Sequence, residues 1–228
     1  MSAHQITDKN PKFFYDTKGF PFLNILSKNF DVIKSELLSL IEKDKENLWL
    51  ETFPDYVSSE NKKAWKVFSF IFFSMKFPDN AAICPKTAKL IYSIPEIISC
   101  DYSFLKPNSH IRPHKGYTRM VLRCHLPLIV PPRNKCSIRV GDEIKDWEEG
   151  KLIIFDDSFE HEAWNRSDQN RAVLMFDIPN PLWGYSAYEI SKYKIENIDD
   201  PFLLSMVTKE KWQEAFKKGE FPLNSFNS

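Results

Sequence analysis

Four of the five histidines in this chain fall between positions 110 and 161, namely His110, His114, His125 and His161. Successive side chains of a β-strand point to opposite faces, so the even spacing of His110 and His114 predicts that both face the interior of a small barrel. Neutral imidazoles from neighbouring strands can bind Fe, Zn, Cu or Ni, which makes a metal site one interpretation. The other is that these side chains cap backbone groups, because the chain has no C-x-x-C or H-E-x-x-H spacing.

A second polar pair lies in an otherwise apolar stretch. Arg123 and His125 are two positions apart, so they share one face of a predicted strand. The other face takes the apolar side chains of Leu122, Cys124 and Leu126. An arginine and a histidine that point into a barrel need an anionic partner there, because an unpaired buried charge is costly.

The strands that would carry these residues lie between Ile97 and Asp177. Short runs rich in Val, Ile, Leu and Phe alternate there with turn residues, which is typical of an all-β sandwich or barrel. The runs are Ile97 to Leu105, Arg119 to Val130, Cys136 to Val140, Leu152 to Phe155 and Arg171 to Ile178. An additional strand is predicted over Trp65 to Phe73, where aromatic and β-branched residues dominate.

Helices are predicted on both sides of this β region. Apolar residues at helical spacing indicate a helix from Asp31 to Asn47, with Asn29 or Asp31 as its cap, and a shorter helix from Pro85. After Pro181 the pattern predicts helices over Ala187 to Tyr193 and over Pro201 to Lys218, which would pack outside the β core or mediate self-association. We therefore expect a mainly β fold with flanking helices. One domain spans 1–228, with a helical part to about 96, a β core over about 97–181 and helices over about 182–228.

Composition excludes several classes of function. Lys plus Arg and Asp plus Glu each number 31, so no broad basic surface exists to collect nucleic acid or anionic lipid. The longest apolar run, Val67 to Met75, is too short for a membrane span, which needs about 20 residues in a helix. The first residues lack a secretion signal, which favours the cytoplasm. The four cysteines show no pairing pattern and are expected to be reduced and mostly buried.

Four stretches between Ser109 and Pro181 resemble the aspartyl/asparaginyl β-hydroxylase family. They are S-H-I-R-P-H-K-G, L-R-C-H-L-P-L, W-E-E-G-K-L-I-I-F-D-D-S-F-E-H-E-A-W-N and N-R-A-V-L-M-F-D-I-P-N-P. The resemblance covers about residues 65 to 181 and fades at both ends. It implies a double-stranded β-helix, which is a jelly-roll or cupin-like fold. It also implies a dioxygenase that uses Fe(II), 2-oxoglutarate as cosubstrate and O2 to hydroxylate an unactivated C–H bond.

The resemblance assigns the iron to His114 and His161. The usual non-haem iron site adds a carboxylate two residues after the first histidine, but that position is Gly116 here. Water would fill the vacant position, and the motif places Asp157 best to hold that water. The alternative interpretation of Asp157 is a turn or helix-cap aspartate. A three-histidine site that includes His110 stays open.

The same resemblance assigns the cosubstrate, a dianion, to residues at its two ends. Arg171 with Ser103 would hold the distal carboxylate, and Arg123 with His125 would hold the end that chelates iron. The planar fork of arginine suits a carboxylate. For Arg171, a surface cation at a strand edge is the alternative. Trp147 and Trp164 are interpreted as packing residues.

The substrate is left open, because two arginines that bind the substrate in family members acting on Asp or Asn residues are replaced by Val121 and Glu60. The candidates are a peptide, a small molecule such as a free or carrier-bound amino acid, and an acyl lipid. The lipid A hydroxylases of the family also lack the first arginine and share stretches like W-K-V-F and C-P-K-T. Two rival functions are a non-catalytic jelly-roll module that binds a small acid and a zinc hydrolase that uses Asp156 and Asp157. Oligomeric state is not predicted.

Overall fold

The computed structural model describes residues 12–43, 48–61, 63–132 and 134–221. Its strands are β1 (Phe14–Tyr15), β2 (Leu50–Glu51), β3 (Val57–Ser59), β4 (Trp65–Phe72), β5 (Met75–Lys76), β6 (Ser99–Leu105), β7 (Ser109–His114), β8 (Val121–Ile129), β9 (Cys136–Val140), β10 (Glu143–Asp146), β11 (Ile153–Phe155), β12 (His161–Asn165) and β13 (Arg171–Pro179). Its helices are α1 (Asn24–Lys28), α2 (Phe30–Glu42), α3 (Pro78–Ile83), α4 (Pro85–Tyr92), α5 (Ala187–Glu196), α6 (Pro201–Met206) and α7 (Lys209–Lys218).

The strands form two antiparallel sheets that face each other. The 8-stranded sheet has the order β1-β11-β8-β13-β6-β4-β2, with β5 paired to β4, and the 5-stranded sheet has the order β10-β9-β12-β7-β3. Apolar side chains of both sheets meet in one buried cluster, which includes Leu105 and Val173 of the large sheet and Ile111 and Ile138 of the small one. Two facing antiparallel sheets in this order confirm the predicted jelly-roll core.

The two faces of the large sheet differ, as the alternation in β8 predicts. We call the face that packs against helices the helix face and the opposite one the site face. Leu122, Cys124 and Leu126 are fully buried in a cluster on the helix face. Ile33 and Leu37 of α2, one turn apart, belong to the same cluster because this spacing places them on one side of the helix. The opposite face of the sheet is therefore available for chemistry.

Several boundaries differ from the sequence prediction. The predicted helix from Asp31 to Asn47 begins at Phe30 and ends at Glu42, and its last predicted residues, 44–47, lie outside the described residues. So do the first residues, on which the cytoplasmic expectation depends. The single helix predicted over Pro201 to Lys218 is wrong, since Val207 is extended and the Thr208 side chain accepts a hydrogen bond from the Lys211 N–H, which starts α7.

The C-terminal helices cover one end of the space between the sheets. Trp212 of α7 is 1% exposed and packs against Phe72 of β4 at 5.5 Å between ring centroids. Its indole N–H donates to the Leu203 carbonyl of α6 at 3.0 Å, which ties the two helices together. Across the described ranges, no helix is both long and apolar enough to cross a bilayer.

Candidate active site

His114 and His161 lie directly opposite each other on β7 and β12. Their ring centroids are 4.1 Å apart. The antiparallel pairing brings together two side chains that are far apart in sequence. Both lie at the strand ends that are nearest to the turn of the large sheet that contains Asp157. The structure therefore brings together the two residues that the resemblance assigns to iron.

Backbone hydrogen bonds fix the orientation of both rings. Nδ1 of His114 lies 2.8 Å from the Arg112 carbonyl, and Nδ1 of His161 lies 3.0 Å from the Phe159 carbonyl. A carbonyl accepts only, so each Nδ1 carries the proton and each Nε2 keeps a free lone pair. Burial, followed by the charge of His114, lowers the pKa of His161 to about 3, and burial also lowers that of His114. Both rings are thus neutral and able to bind a metal.

His110 does not join this pair, although its spacing predicts a shared face with His114. The register of β7 against β12 contains an extra residue between Ile111 and His114, which reverses the alternation of faces. Nε2 of His110 instead lies 2.6 Å from a carboxylate oxygen of Glu162, which also pairs with Arg139 at 2.5 Å. No cluster of three or more His, Cys, Asp or Glu side chains suited to a metal occurs in the described ranges.

Asp157 occupies the space beside Gly116. A Cβ atom built on Gly116 would overlap the Asp157 carboxylate, and the Gly116 N–H donates to the Asp157 carbonyl at 2.7 Å. Asp157 is 3% exposed, and its Oδ1 has no hydrogen-bond partner among the described residues. The Asp157 carboxylate therefore lies where a side chain at position 116 would begin, although it forms no three-residue metal cluster with the two histidines in the described ranges.

Arg171 is a buried cation without a counter-ion among the described residues. It is 1% exposed, and neither its Nε nor its Nη1 has a hydrogen-bond partner within the described ranges. Its guanidinium lies 4.6 Å from the centroid of the Trp147 ring. Burial lowers the pKa of Arg171 to about 10, which leaves it charged at neutral pH. Buried donors of this kind are normally paired, so these atoms fit an anionic ligand.

His125 and Ser103 complete this polar end of the interior. The Trp147 indole N–H donates to Nδ1 of His125 at 3.2 Å, so the proton of the neutral imidazole is on Nε2, which has no partner in the part of the chain that the structure describes. The Trp65 indole N–H donates to the Ser103 hydroxyl at 3.0 Å, which leaves the hydroxyl proton free. Ser103 is diagonal to Arg171 across the β6–β13 pairing. These atoms match the two carboxylates and the keto group of 2-oxoglutarate in kind.

Arg123 has acidic partners already. Its Nε and Nη2 bond both oxygens of Asp177 at 2.9 and 3.0 Å, and Nη2 lies 3.3 Å from Asp157. Asp177 therefore supplies the anionic partner that the sequence predicts for this arginine. In this structure Arg123 connects Asp177 to Asp157, and His125 is the better placed of the predicted pair to meet a cosubstrate.

A cavity of about 420 Å³ adjoins Asp157 and Arg123. That volume lies within the roughly 300–1,000 Å³ of small-molecule sites. Most of its lining is aromatic or aliphatic, and it includes Val121 at the position where the predicted substrate arginine is absent. Residues of all three C-terminal helices close it, among them Ile190, Lys194, Leu203, Met206 and Trp212. Glu60, the other replacement, is exposed.

A family model described as aspartyl/asparaginyl β-hydroxylase matches residues 27–181. The chain belongs to this family. The match confirms the resemblance found in the sequence, and α5, α6 and α7 lie beyond its last residue. The wall that these helices add to the cavity is therefore outside the part recognised as aspartyl/asparaginyl β-hydroxylase.

Relatives within the family carry different names. The ornithine lipid ester-linked acyl 2-hydroxylase of Rhizobium tropici is 38% identical over 174 residues, which are 74% of this chain and 60% of that protein. The aspartyl/asparaginyl β-hydroxylase of Homo sapiens is 35% identical over 161 residues, which are 68% of this chain and 21% of that protein. The chain thus spans less than two thirds of either relative. A prolyl-4-hydroxylase structure from Pseudomonas putida aligns with a TM-score of 0.45 and 15% identity over 66% of this chain and 86% of that one.

Sequence reasoning missed several residues of this family site. Trp147 was predicted to pack only, yet it orients His125 and lies against Arg171. Asp177 follows Arg171 at even spacing along β13, and that spacing could have placed it on the site face. Trp164 does behave as a packing residue, since Arg166 lies 4.7 Å from its ring centroid.

Proposed function

We propose that this protein is an Fe(II)- and 2-oxoglutarate-dependent dioxygenase that hydroxylates a C–H bond. The observation that carries the proposal is Arg171, a buried guanidinium of which two nitrogen atoms have no partner in the described part of the chain. It lies in the same barrel interior as two neutral facing histidines. Family membership supports the same reaction class. A jelly-roll module that only binds a small acid would account for Arg171 but not for the paired histidines.

The predicted site residues other than His110 each have a role in this proposal. His114 and His161 would hold iron through Nε2, and Asp157 would orient a water bound to it. Arg171 and Ser103 would bind the distal carboxylate of 2-oxoglutarate, and His125 would donate from Nε2 to its other end. When bound, iron and 2-oxoglutarate supply the oxidising chemistry, in which O2 yields succinate, CO2 and a hydroxylated substrate.

The chain itself contributes orientation and a dry site. Backbone bonds to each Nδ1 keep both histidines in the tautomer that a metal requires. Arg123 would hold the Asp157 carboxylate in place while Asp177 neutralises that arginine. The aromatic walls of the cavity exclude water from the reacting bond.

For the substrate we propose an acyl chain. The cavity next to Asp157 is lined mostly by apolar side chains, and Val121 contributes no charge where a substrate carboxylate would need one. An acyl chain is the substrate that the name of the rhizobial relative states for that protein. The charged side chains of the lining, such as Lys194 and Asp101, could pair with polar groups of a peptide or amino acid, so those substrates are included in the test.

The test measures succinate formed from 2-oxoglutarate with Fe(II), O2 and acyl-lipid, amino-acid or acidic-peptide substrates. We expect His161→Ala to lose at least about 100-fold in rate, because second-shell changes alone cost about 10- to 100-fold. His110→Ala is the matched control, since His110 pairs with Glu162 away from the facing histidines. Equal rates for the parent and His161→Ala would overturn the proposal. Zinc rather than iron in protein purified without oxygen would favour the hydrolase alternative.

A further inference from the structure

An uncharged, exposed turn follows the last strand. Residues 178–188 contain no Asp, Glu, Lys, Arg or His, and residues 181–186 are all exposed. Leu182 is 75% exposed and Trp183 is 38% exposed, and Tyr185 beside them is exposed as well. We call residues 181–185 the apolar turn. Side chains of this kind rarely cluster in water without a partner.

The apolar turn is held in a fixed shape. The buried side chain of Asn180 accepts a hydrogen bond from the Leu182 N–H at 3.2 Å and donates to the Arg119 carbonyl at 3.1 Å. The Trp183 N–H donates to the Asn180 carbonyl at 3.1 Å. The backbone of Leu182 and Trp183 is therefore held in one conformation, so little conformational entropy is lost when their side chains are buried against a partner.

This turn is hydrogen-bonded to a loop that lines the cavity. The Asn180 N–H donates to the Met120 carbonyl at 2.8 Å, which joins the turn to the loop that precedes β8. In that loop Tyr117 and Thr118 line the cavity, and Tyr117 is also exposed. Lys115 and Arg119 of the same loop are exposed cations. Because Tyr117 both lines the cavity and is exposed, its loop marks the cavity entrance, and this loop carries positive charge and is bonded to the apolar turn.

We propose that the apolar turn docks the protein on a lipid bilayer, with the cavity entrance facing the membrane. Trp and Tyr favour the boundary between acyl chains and headgroups, and Leu182 would reach the acyl region. Lys115 and Arg119 would meet lipid phosphates. The chain has a formal net charge of +0, so binding depends on the apolar residues rather than on a broad positive field. The link to catalysis rests on the proposed acyl-lipid substrate, but the docking itself does not.

The test is co-sedimentation of the whole protein with vesicles of phosphatidylcholine that contain one fifth phosphatidylglycerol. We expect the parent to bind and Leu182→Ser/Trp183→Ser to bind at least about tenfold more weakly, because both side chains lose apolar burial. Leu182→Ser alone, at the most exposed position, should weaken binding in the same direction. Ile144→Ser is the matched control, since Ile144 is 59% exposed on β10 of the small sheet.

Four outcomes would overturn the docking proposal. They are no binding by the parent, equal binding by the parent and the double variant, equal loss in Ile144→Ser, and a parent dimer that the double variant converts to a monomer. The last result would make the turn a contact between two copies of the chain. Sedimentation is measured without iron or 2-oxoglutarate, so its failure is separate from a failure of succinate formation, which would count against the dioxygenase alone.

Discussion

At the scale of single residues, the interior of the protein contains buried polar and charged groups that lower its stability. A buried charge without a counter-ion and a buried N–H without an acceptor each cost free energy of folding. Among the described residues, Arg171 and Nε2 of His125 show both costs, and both side chains contact the Trp147 ring. Such atoms are compensated when an anion binds, so the empty site and the bound site should differ in stability.

The first prediction concerns Arg171→Met, which removes the buried charge but keeps much of the side-chain volume. We expect the ligand-free variant to be as stable as the parent or more stable. With Mn²⁺ in place of Fe²⁺, 2-oxoglutarate at about 100 times its Kd should stabilise the parent by about 2.7 kcal/mol, or roughly 5–10 °C in Tm. The variant should show no such shift in a thermal unfolding assay.

Arg139→Met is the control for that experiment. Arg139 pairs with Glu160 and Glu162 on the outer side of the small sheet, so the same chemical change there should leave the ligand-induced shift intact. A full shift in Arg171→Met would mean that another group binds the distal carboxylate.

A second prediction at this scale concerns pH. Burial and the nearby Asp177 raise the pKa of Asp101 to about 7, against a lowering by the Ser69 hydrogen bond. As the pH rises, Asp101 therefore keeps its proton to a higher pH in the folded state than in the unfolded chain, where its pKa is about 3.9. The stability from this group is complete below pH of about 4 and is lost as the pH rises through about 7.

Asp101→Asn should remove this dependence. Urea unfolding at pH 5 and pH 8 should show that the variant gains stability relative to the parent at the higher pH, at about 1.4 kcal/mol per pKa unit. Asp168→Asn, an exposed loop position, serves as the control and should follow the parent at both values. A constant difference between parent and Asp101→Asn would contradict the raised pKa.

At the scale of elements, strands were predictable where their residues are apolar and were missed where they carry the site. β9 was predicted with its observed bounds, and β13 to within a residue. β7 and β12 lack a clear apolar alternation, because their site-facing positions hold histidine and β7 also contains Pro113. The extra residue in β7 leaves no signal in the spacing, which is why His110 was expected beside His114.

The third prediction concerns Gly116, which follows the end of β7, and Asp157, which lies in the turn before β12. Gly116→Ala should push the Asp157 carboxylate away, since the added Cβ has no room. We expect weaker binding of Fe(II) by about 10- to 100-fold, the usual cost of disturbing a group behind the ligands. Equilibrium dialysis without oxygen measures this directly.

Gly19→Ala is the appropriate comparison, because nothing lies within 4 Å of the added Cβ there. That variant should bind iron like the parent. If Gly116→Ala also did so, Asp157 would be a turn residue without influence on the metal.

At the scale of the whole molecule, the sequence predicted the architecture and the paired histidines, but not the cavity. The reason is that the cavity wall comes from many separate regions of the chain, among them Trp65 of β4, Val121 of β8 and Lys194 of α5. No local pattern connects them, since their proximity depends on how the C-terminal helices pack. Of the two expectations for these helices, packing against the β core is observed, and self-association stays untested.

The fourth prediction uses the cysteines as reporters of global unfolding. Cys84, Cys100, Cys124 and Cys136 are all free and buried, as the sequence predicted. Burial raises the pKa of Cys84 to about 12 and that of Cys136 to about 11, so the reactive thiolate is scarce. Ellman's reagent should detect no thiol in the native protein and four after unfolding in guanidinium. Rapid native labelling at any one position would reveal local opening.

The two faces of β8 have different roles. One face packs against the helices through Leu122, Cys124 and Leu126. Val121 borders the cavity from the opposite face. A change at position 121 therefore alters the cavity wall and the packing against Ala187 and Ile190 of α5, but it leaves the cluster on the opposite face untouched. The cavity can thus be reshaped from one side of the strand while the apolar layer behind it stays as it is.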